Sequence, residues 1–284
     1  MTTYVFIPGA SSNAQAWGPL QNELALRGHA SYAIDLPGHG SSADRPAPYF
    51  ASPQDLEALA AAPSPMKGIT LDDNVRYVVD IVTRLAAHGP VVLAANSFGG
   101  ITLSAVANAV PELLHRIVYI SAACPTGFTT PEDEVQPAED DGNLLDAAVA
   151  RITTGDVAAQ GFARLNWRAA HSDPDLFAEL KAAIMADGTD AQFRAVIDTM
   201  DPDENYDVIG PDSVIRADRW GLVPHTYFRL SEDRSIPVQA QDRIIAEADA
   251  VTPDNPFDVH TLATSHVGYF SRPAEFAEAL SRLA

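Results

Sequence analysis

Cysteine is nearly absent. Cys124 is the single one in 284 residues, so no disulfide can close within the chain and nothing in it points to an oxidising compartment. Basic residues are scarce too, 18 Lys and Arg against 38 Asp and Glu, which leaves a formal net charge of -20. Such a field repels nucleic acid and anionic membrane surfaces, and neither is expected as a partner. No apolar run reaches the roughly 18 residues a transmembrane helix needs. The first residues lack the charged region and small-residue cleavage site of a secretory signal, so a cytoplasmic location is expected. Internal repeats, a phosphate-cradling P-loop, His-Glu-x-x-His and paired Cys-x-x-Cys are also missing, and no metal or organic cofactor is expected.

What is present is enough apolar material for a large core, 46% of residues. It is arranged as short β-branched runs alternating with segments of helical period. Strands are predicted at residues 4–7, 30–34, 91–94, 116–121, 223–230 and 257–262. Helices are predicted at residues 17–27, 70–87, 101–110, 238–248 and 273–282. Thr70 suits an N-cap, with Asp72 and Asp73 in the first turn and Val75, Val78, Val79, Val82 and Leu85 on one face. This alternation predicts an α/β fold with a mostly parallel, doubly wound sheet. Between Pro125 and Arg219 the rhythm stops. Helices are predicted there at residues 144–152, 156–170, 174–185 and 191–199, beyond an acidic stretch holding Glu132, Asp133, Glu134, Glu139, Asp140 and Asp141. The chain is therefore expected to divide into a core of residues 1–124 and 220–284 and an inserted helical cap of residues 125–219.

One stretch carries chemistry. The apolar run Val91-Val92-Leu93-Ala94 leads through Ala95-Asn96 to Ser97, and Phe98-Gly99-Gly100 opens the next helix. Small residues two before and two after the serine allow a strand-to-helix turn tight enough to lift its hydroxyl above the sheet. A serine hydroxyl is a weak nucleophile at neutral pH and needs a base, and the base needs an orienting carboxylate. His266 follows the last predicted strand between small residues, whereas His29, His39, His88, His115, His225 and His260 sit where a structural role is expected; His171 falls in the cap. Asp233 stands just past the strand at 223–230, with Glu232 as its main competitor and Glu132 or Asp133 as further alternatives. An oxyanion would be met by the backbone N–H of Phe98 and, from the glycine-bearing loop after the first strand, that of Ala10. Ser11 and Asn13 are candidate side-chain donors to substrate. Phe128, Phe162, Trp167, Met185 and Met200 are candidates to line a pocket under the cap.

With these residues placed, the chain resembles the α/β-hydrolase superfamily over nearly its whole length. It is most similar to the branch holding plant hydroxynitrile lyases, plant methyl esterases and bacterial pyrethroid-hydrolase-like esterases. The resemblance rests on Val5-Phe6-Ile7-Pro8-Gly9-Ala10 with Trp17, Asp35-Leu36-Pro37-Gly38-His39-Gly40, Asn96-Ser97-Phe98-Gly99-Gly100, Arg219-Trp220-Gly221 with Val223-Pro224, and Glu232-Asp233-Arg234-Ser235-Ile236-Pro237 with Gln241. The order Ser97, Asp233, His266 is also that superfamily's order. The resemblance implies a triad of these three residues and oxyanion donors at Ala10 and Phe98. The cap is longer than in these compact relatives, so the resemblance does not carry the substrate over; a carboxylic ester or lactone of a small, largely apolar molecule is the expected substrate. Amide, thioester or carbon–carbon bond hydrolysis, and a non-hydrolytic receptor or cyclase on the same scaffold, are the alternatives; the oligomeric state is open, a homodimer included. Pro8 stands where the family commonly has histidine, and Ala95 replaces a glycine. Val267 stands where cyanohydrin-cleaving members have a lysine, which argues against lyase activity.

Overall fold

The computed structural model describes residues 1–127, 142–205 and 208–283. Six strands form one sheet in the order β2-β1-β3-β4-β8-β9: β1 Thr3–Ile7, β2 Ala30–Ala33, β3 Val91–Ser97, β4 Arg116–Ala122, β8 His225–Leu230 and β9 Asp258–Leu262. All five pairings are parallel. Side chains alternate between the faces, as strand geometry requires. Tyr4, Phe6, Val92, Ala94, Val118 and Ile120 pack on one side with Trp17, Leu20, Phe276 and Leu280. Val5, Ile7, Leu93, Ala95, Ile117 and Tyr119 pack on the other with Val78, Val82, Leu103, Val106 and Trp220. Helices therefore cover both faces, which is why the strands read as unbroken apolar runs.

Local signals set the helix ends. Thr70 and Asp73 form a reciprocal capping box at the start of the helix Leu71–Ala86, each side chain bonding the other's backbone N–H. The helix Gly99–Ala109 follows β3 directly and is almost wholly buried. The chain moves from β1 to β2 on one side and then returns to place β3 on the other side of β1. At such a reversal the loops leaving the two strands part and open a crevice at the carboxyl edge of the sheet. Residues 8–13 leave β1 there, and Ser97 ends β3.

The connection between β4 and β8 holds the helices Leu145–Ile152, Pro174–Ile184 and Asp190–Thr199 near the expected positions. The single long helix expected at residues 156–170 is not formed. A short helix, Val157–Gln160, stops at Gly161, whose φ of 76° is left-handed. The chain continues as β6 Ala163–Leu165, the central strand of a small antiparallel sheet with β5 Thr153–Thr154 and β7 Asp203–Glu204. Arg164 explains the switch. It is fully buried, grips both carboxylate oxygens of Asp203 and donates to the carbonyls of Leu59, Ala62 and Pro63, which a solvent-facing helical arginine could not reach. The acidic stretch from Glu132 to Asp141 lies outside the described residues. Among the described residues no helix is long and apolar enough to cross a membrane.

Candidate active site

Ser97 ends β3 with φ 54°, a left-handed conformation that non-glycine residues seldom adopt. The turn is enforced by close approach: a Cβ at Gly99 would lie 2.3 Å from the Pro8 carbonyl oxygen, and one at Gly100 would lie 2.0 Å from that of Ala123. Glycine is required at both places, because backbone stands in the way. Ala95, by contrast, turns its methyl into the core beneath the sheet, where it is fully buried. A glycine is not needed there.

The loop after β8 carries Asp233. Its Oδ1 accepts the backbone N–H groups of Ser235 at 2.7 Å and Ile236 at 2.9 Å, so the carboxylate is held by its own loop. Its Oδ2 lies 2.6 Å from Nδ1 of His266, on the loop after β9, and accepts the Ser121 hydroxyl at 2.7 Å. Asp233 and His266 are 3% and 5% exposed, so the pair is shielded from water. Glu232 faces solvent. The His266 carbonyl accepts the Asn96 side-chain amide at 3.3 Å, tying the histidine loop to the serine strand.

Two carboxylates from the β4–β8 connection reach these loops. Asp187 accepts the hydroxyls of Thr264, at 2.7 Å, and Ser265, the residues just before His266, and pairs with Arg272 at 3.1 Å. Burial would raise its pKa, but the hydrogen bonds from Ser265 and Thr264 and the Arg272 charge hold it below the usual carboxylate value. Glu204 accepts the Ser11 backbone N–H at 2.6 Å and lies 3.2 Å from Nε2 of His39. Burial would lower the pKa of His39. The charge and hydrogen bond of Glu204, with the charge of Asp201, instead raise it above the ordinary histidine value. Neither carboxylate was singled out in the sequence.

Ser97 and His266 line one cavity of about 90 Å³, together with Ala10, Ser11 and Trp167. Leu145, Val149, Leu165, Ile184, Val196 and Met200 make its wall largely apolar, and no Asp, Glu, Lys or Arg is among the described residues that line it. Phe98, next after Ser97, borders a neighbouring small cavity with His39 and Glu204. Asn13 is not at the cavity: its side chain accepts from Gln15 N–H and donates to Asp201 and the Thr199 carbonyl, a bracing role. Phe162 is also away from it, packed under the Arg164 guanidinium at 5.1 Å, and Met185 is buried elsewhere. Phe128 lies outside the described residues. The lone thiol, Cys124, is buried and its pKa is pushed up to about 12 by that burial, which rules it out as a nucleophile at neutral pH. His225 packs against Trp220 with ring centroids 4.0 Å apart, and burial lowers its pKa below the ordinary histidine value, as for a core residue.

The chain is similar to a pyrethroid hydrolase of Sphingobium wenxiniae, 23% identical over 100% of this chain and 88% of the relative. It is similar to polyneuridine aldehyde esterase of Rauvolfia serpentina, 22% identical over 98% and 93% of the two chains. A crystal structure of a pyrethroid hydrolase superposes with a TM-score of 0.72, at 20% identity, covering 99% of this chain and 97% of the other. That of polyneuridine aldehyde esterase gives 0.67, at 20% identity and 100% and 99% coverage. The alpha/beta hydrolase family model matches residues 4–279, and the chain belongs to that family.

Proposed function

We propose that this protein is a serine hydrolase that cleaves a carboxylic ester, or lactone, of a small, largely apolar molecule. Residues 1–124 and 220–284 act as the catalytic core, and residues 125–219 as a cap over the substrate. The observation that carries the reading is the buried 2.6 Å contact between Asp233 and His266, which lines the same cavity as Ser97. In this reading Nε2 of His266 takes the proton of Ser97 as Oγ attacks the ester carbonyl. The resulting oxyanion is met by the N–H groups of Ala10 and Phe98. His266 then returns the proton to the leaving alkoxide, the acyl-enzyme forms, and a water molecule activated by the same histidine releases the acid. Asp233 holds the ring in the tautomer that presents a bare Nε2, and stabilises the imidazolium.

The cavity wall supports the substrate class. A charged substrate would be desolvated there without a counter-ion, which costs several kcal/mol or more. Val267 lines the cavity where a lyase would need a cation for departing cyanide, which supports hydrolysis over cyanohydrin cleavage. The names of the relatives, a pyrethroid hydrolase and polyneuridine aldehyde esterase, agree with ester cleavage.

Incubation with a fluorophosphonate followed by peptide mass mapping tests the nucleophile, and p-nitrophenyl acetate tests turnover. Labelling confined to Ser97, together with hydrolysis, is expected. A folded protein that neither labels there nor releases p-nitrophenol refutes the proposal.

A further inference from the structure

Residues Gly9 to Ser12 form a tight turn closed by the Ser12 N–H on the Gly9 carbonyl at 3.1 Å. Because the Gly9–Ala10 peptide is planar and trans, fixing that carbonyl sends the Ala10 N–H the opposite way. The turn abuts the nucleophile: a Cβ on Gly9 would stand 3.0 Å from the Cβ of Ser97. Its third residue, Ser11, has φ 55°, a conformation that turns of this kind normally give to glycine or asparagine. Relaxing Ser11 to a negative φ would open the turn, break the Ser12–Gly9 bond and free the Gly9–Ala10 peptide that carries the Ala10 N–H. Something must hold it.

The structure shows two holds, both from one short segment of the β4–β8 connection. Glu204 Oε2 accepts the Ser11 N–H at 2.6 Å, and the Ser11 carbonyl accepts the Asp201 N–H at 2.7 Å. The Glu204 carboxylate is itself fixed, by His39 Nε2 at 3.2 Å and by the Asn205 N–H on its Oε1 at 2.9 Å. Asp201 is fixed by Arg45, by the Gly40 N–H and by Asn13. Ser11, His39, Asp201 and Glu204 are all at least 95% buried. A buried ion pair adds little net stability, so a conformational role accounts for it better than a stabilising one.

We propose that Glu204 is a positioning residue: it holds Ser11 at its positive φ, which keeps the turn closed and the Gly9 carbonyl fixed, and so keeps the Ala10 N–H aimed at the oxyanion. This rests on the serine hydrolase reading, and wild-type labelling at Ser97 and turnover are measured first, so that failure of that reading is seen separately. Glu204→Ala then lowers kcat by about ten- to a hundredfold, up to the lower end of the loss from removing an oxyanion donor outright, with KM within about threefold. Ser11→Gly made in the Glu204→Ala protein recovers at least about tenfold of kcat relative to its effect in wild type, since glycine adopts the positive φ without restraint. A merely structural role for Glu204 would not yield that rescue. Wild-type kcat in folded Glu204→Ala, or a loss that Ser11→Gly leaves in place, overturns the proposal. If Glu204→Ala does not fold, Glu204→Asp, which withdraws the carboxylate by one methylene, takes its place with the same two readouts and the same two refuting results.

Discussion

Ser121 donates its hydroxyl to the same Asp233 oxygen that faces His266, at 2.7 Å and 2.6 Å. That oxygen therefore serves two partners, and Ser121 limits how far the carboxylate can swing away from the imidazole. Hydrogen bonds to charged groups contribute roughly 1.5 to 3 kcal/mol. Ser121→Ala is expected to reduce kcat by about tenfold and leave KM nearly unchanged. Steady-state kinetics on p-nitrophenyl acetate measure it, and an unchanged kcat would show that the backbone N–H groups of Ser235 and Ile236 suffice.

Ser97→Ala and His266→Ala should each lower turnover by about 10⁴-fold or more, and the double variant should lose little beyond either, because the groups act as a unit. Multiplicative losses in the double variant would mean that the two do not share a step.

Asp233→Asn should cost about 10⁴ in kcat by favouring the wrong histidine tautomer. Glu232→Ala should stay within about twofold of wild type, as expected for a solvent-facing side chain. The opposite ranking would transfer the orienting role to Glu232.

His39 predicts a pH-dependent stability. Its folded pKa is raised, so the stabilisation from Glu204 and Asp201 is complete below the unfolded value near 6.5 and is lost as pH rises through the folded value. Melting temperature should therefore decline above about pH 6.5. In His39→Gln that decline should flatten; thermal scans between about pH 6 and 9 compare the two. A parallel decline in both proteins would remove His39 from the account.

Trp167 lines the cavity and donates its indole N–H to the Asp201 carbonyl at 3.2 Å. Trp167→Ala should lower stability by about 3 to 5 kcal/mol, measured by urea unfolding. It should also raise the ratio of p-nitrophenyl octanoate to acetate turnover. A ratio unmoved by the substitution would place the acyl chain elsewhere.

Ser97 was legible because a strand, a small-residue turn and a helix must follow one another within ten residues. Asp233 and His266 were legible as polar residues just past apolar runs. Ser121 was not, since a serine inside the buried run Arg116–Ala122 carries no mark of its use. Glu204 and Asp187 were not legible either: one meets Ser11 across 193 positions and the other meets Thr264 across 77, and carboxylates in polar stretches read as solvated. Helical spacing at residues 156–170 outweighed Gly161, although a glycine within such a pattern is itself a stop signal. Asn13 looked free to meet substrate because its partner Asp201 arrives from a distant segment.

The parallel sheet also has a kinetic meaning. Thr3 must find Val91, and Ile117 must find His225, before either pairing gains anything, and no strand of this sheet can zip onto its neighbour through a hairpin. Closing such long chain loops makes folding slow relative to helix formation. The helices can regain their circular dichroism early, while esterase turnover waits until chain segments far apart in order of synthesis have met around Ser97.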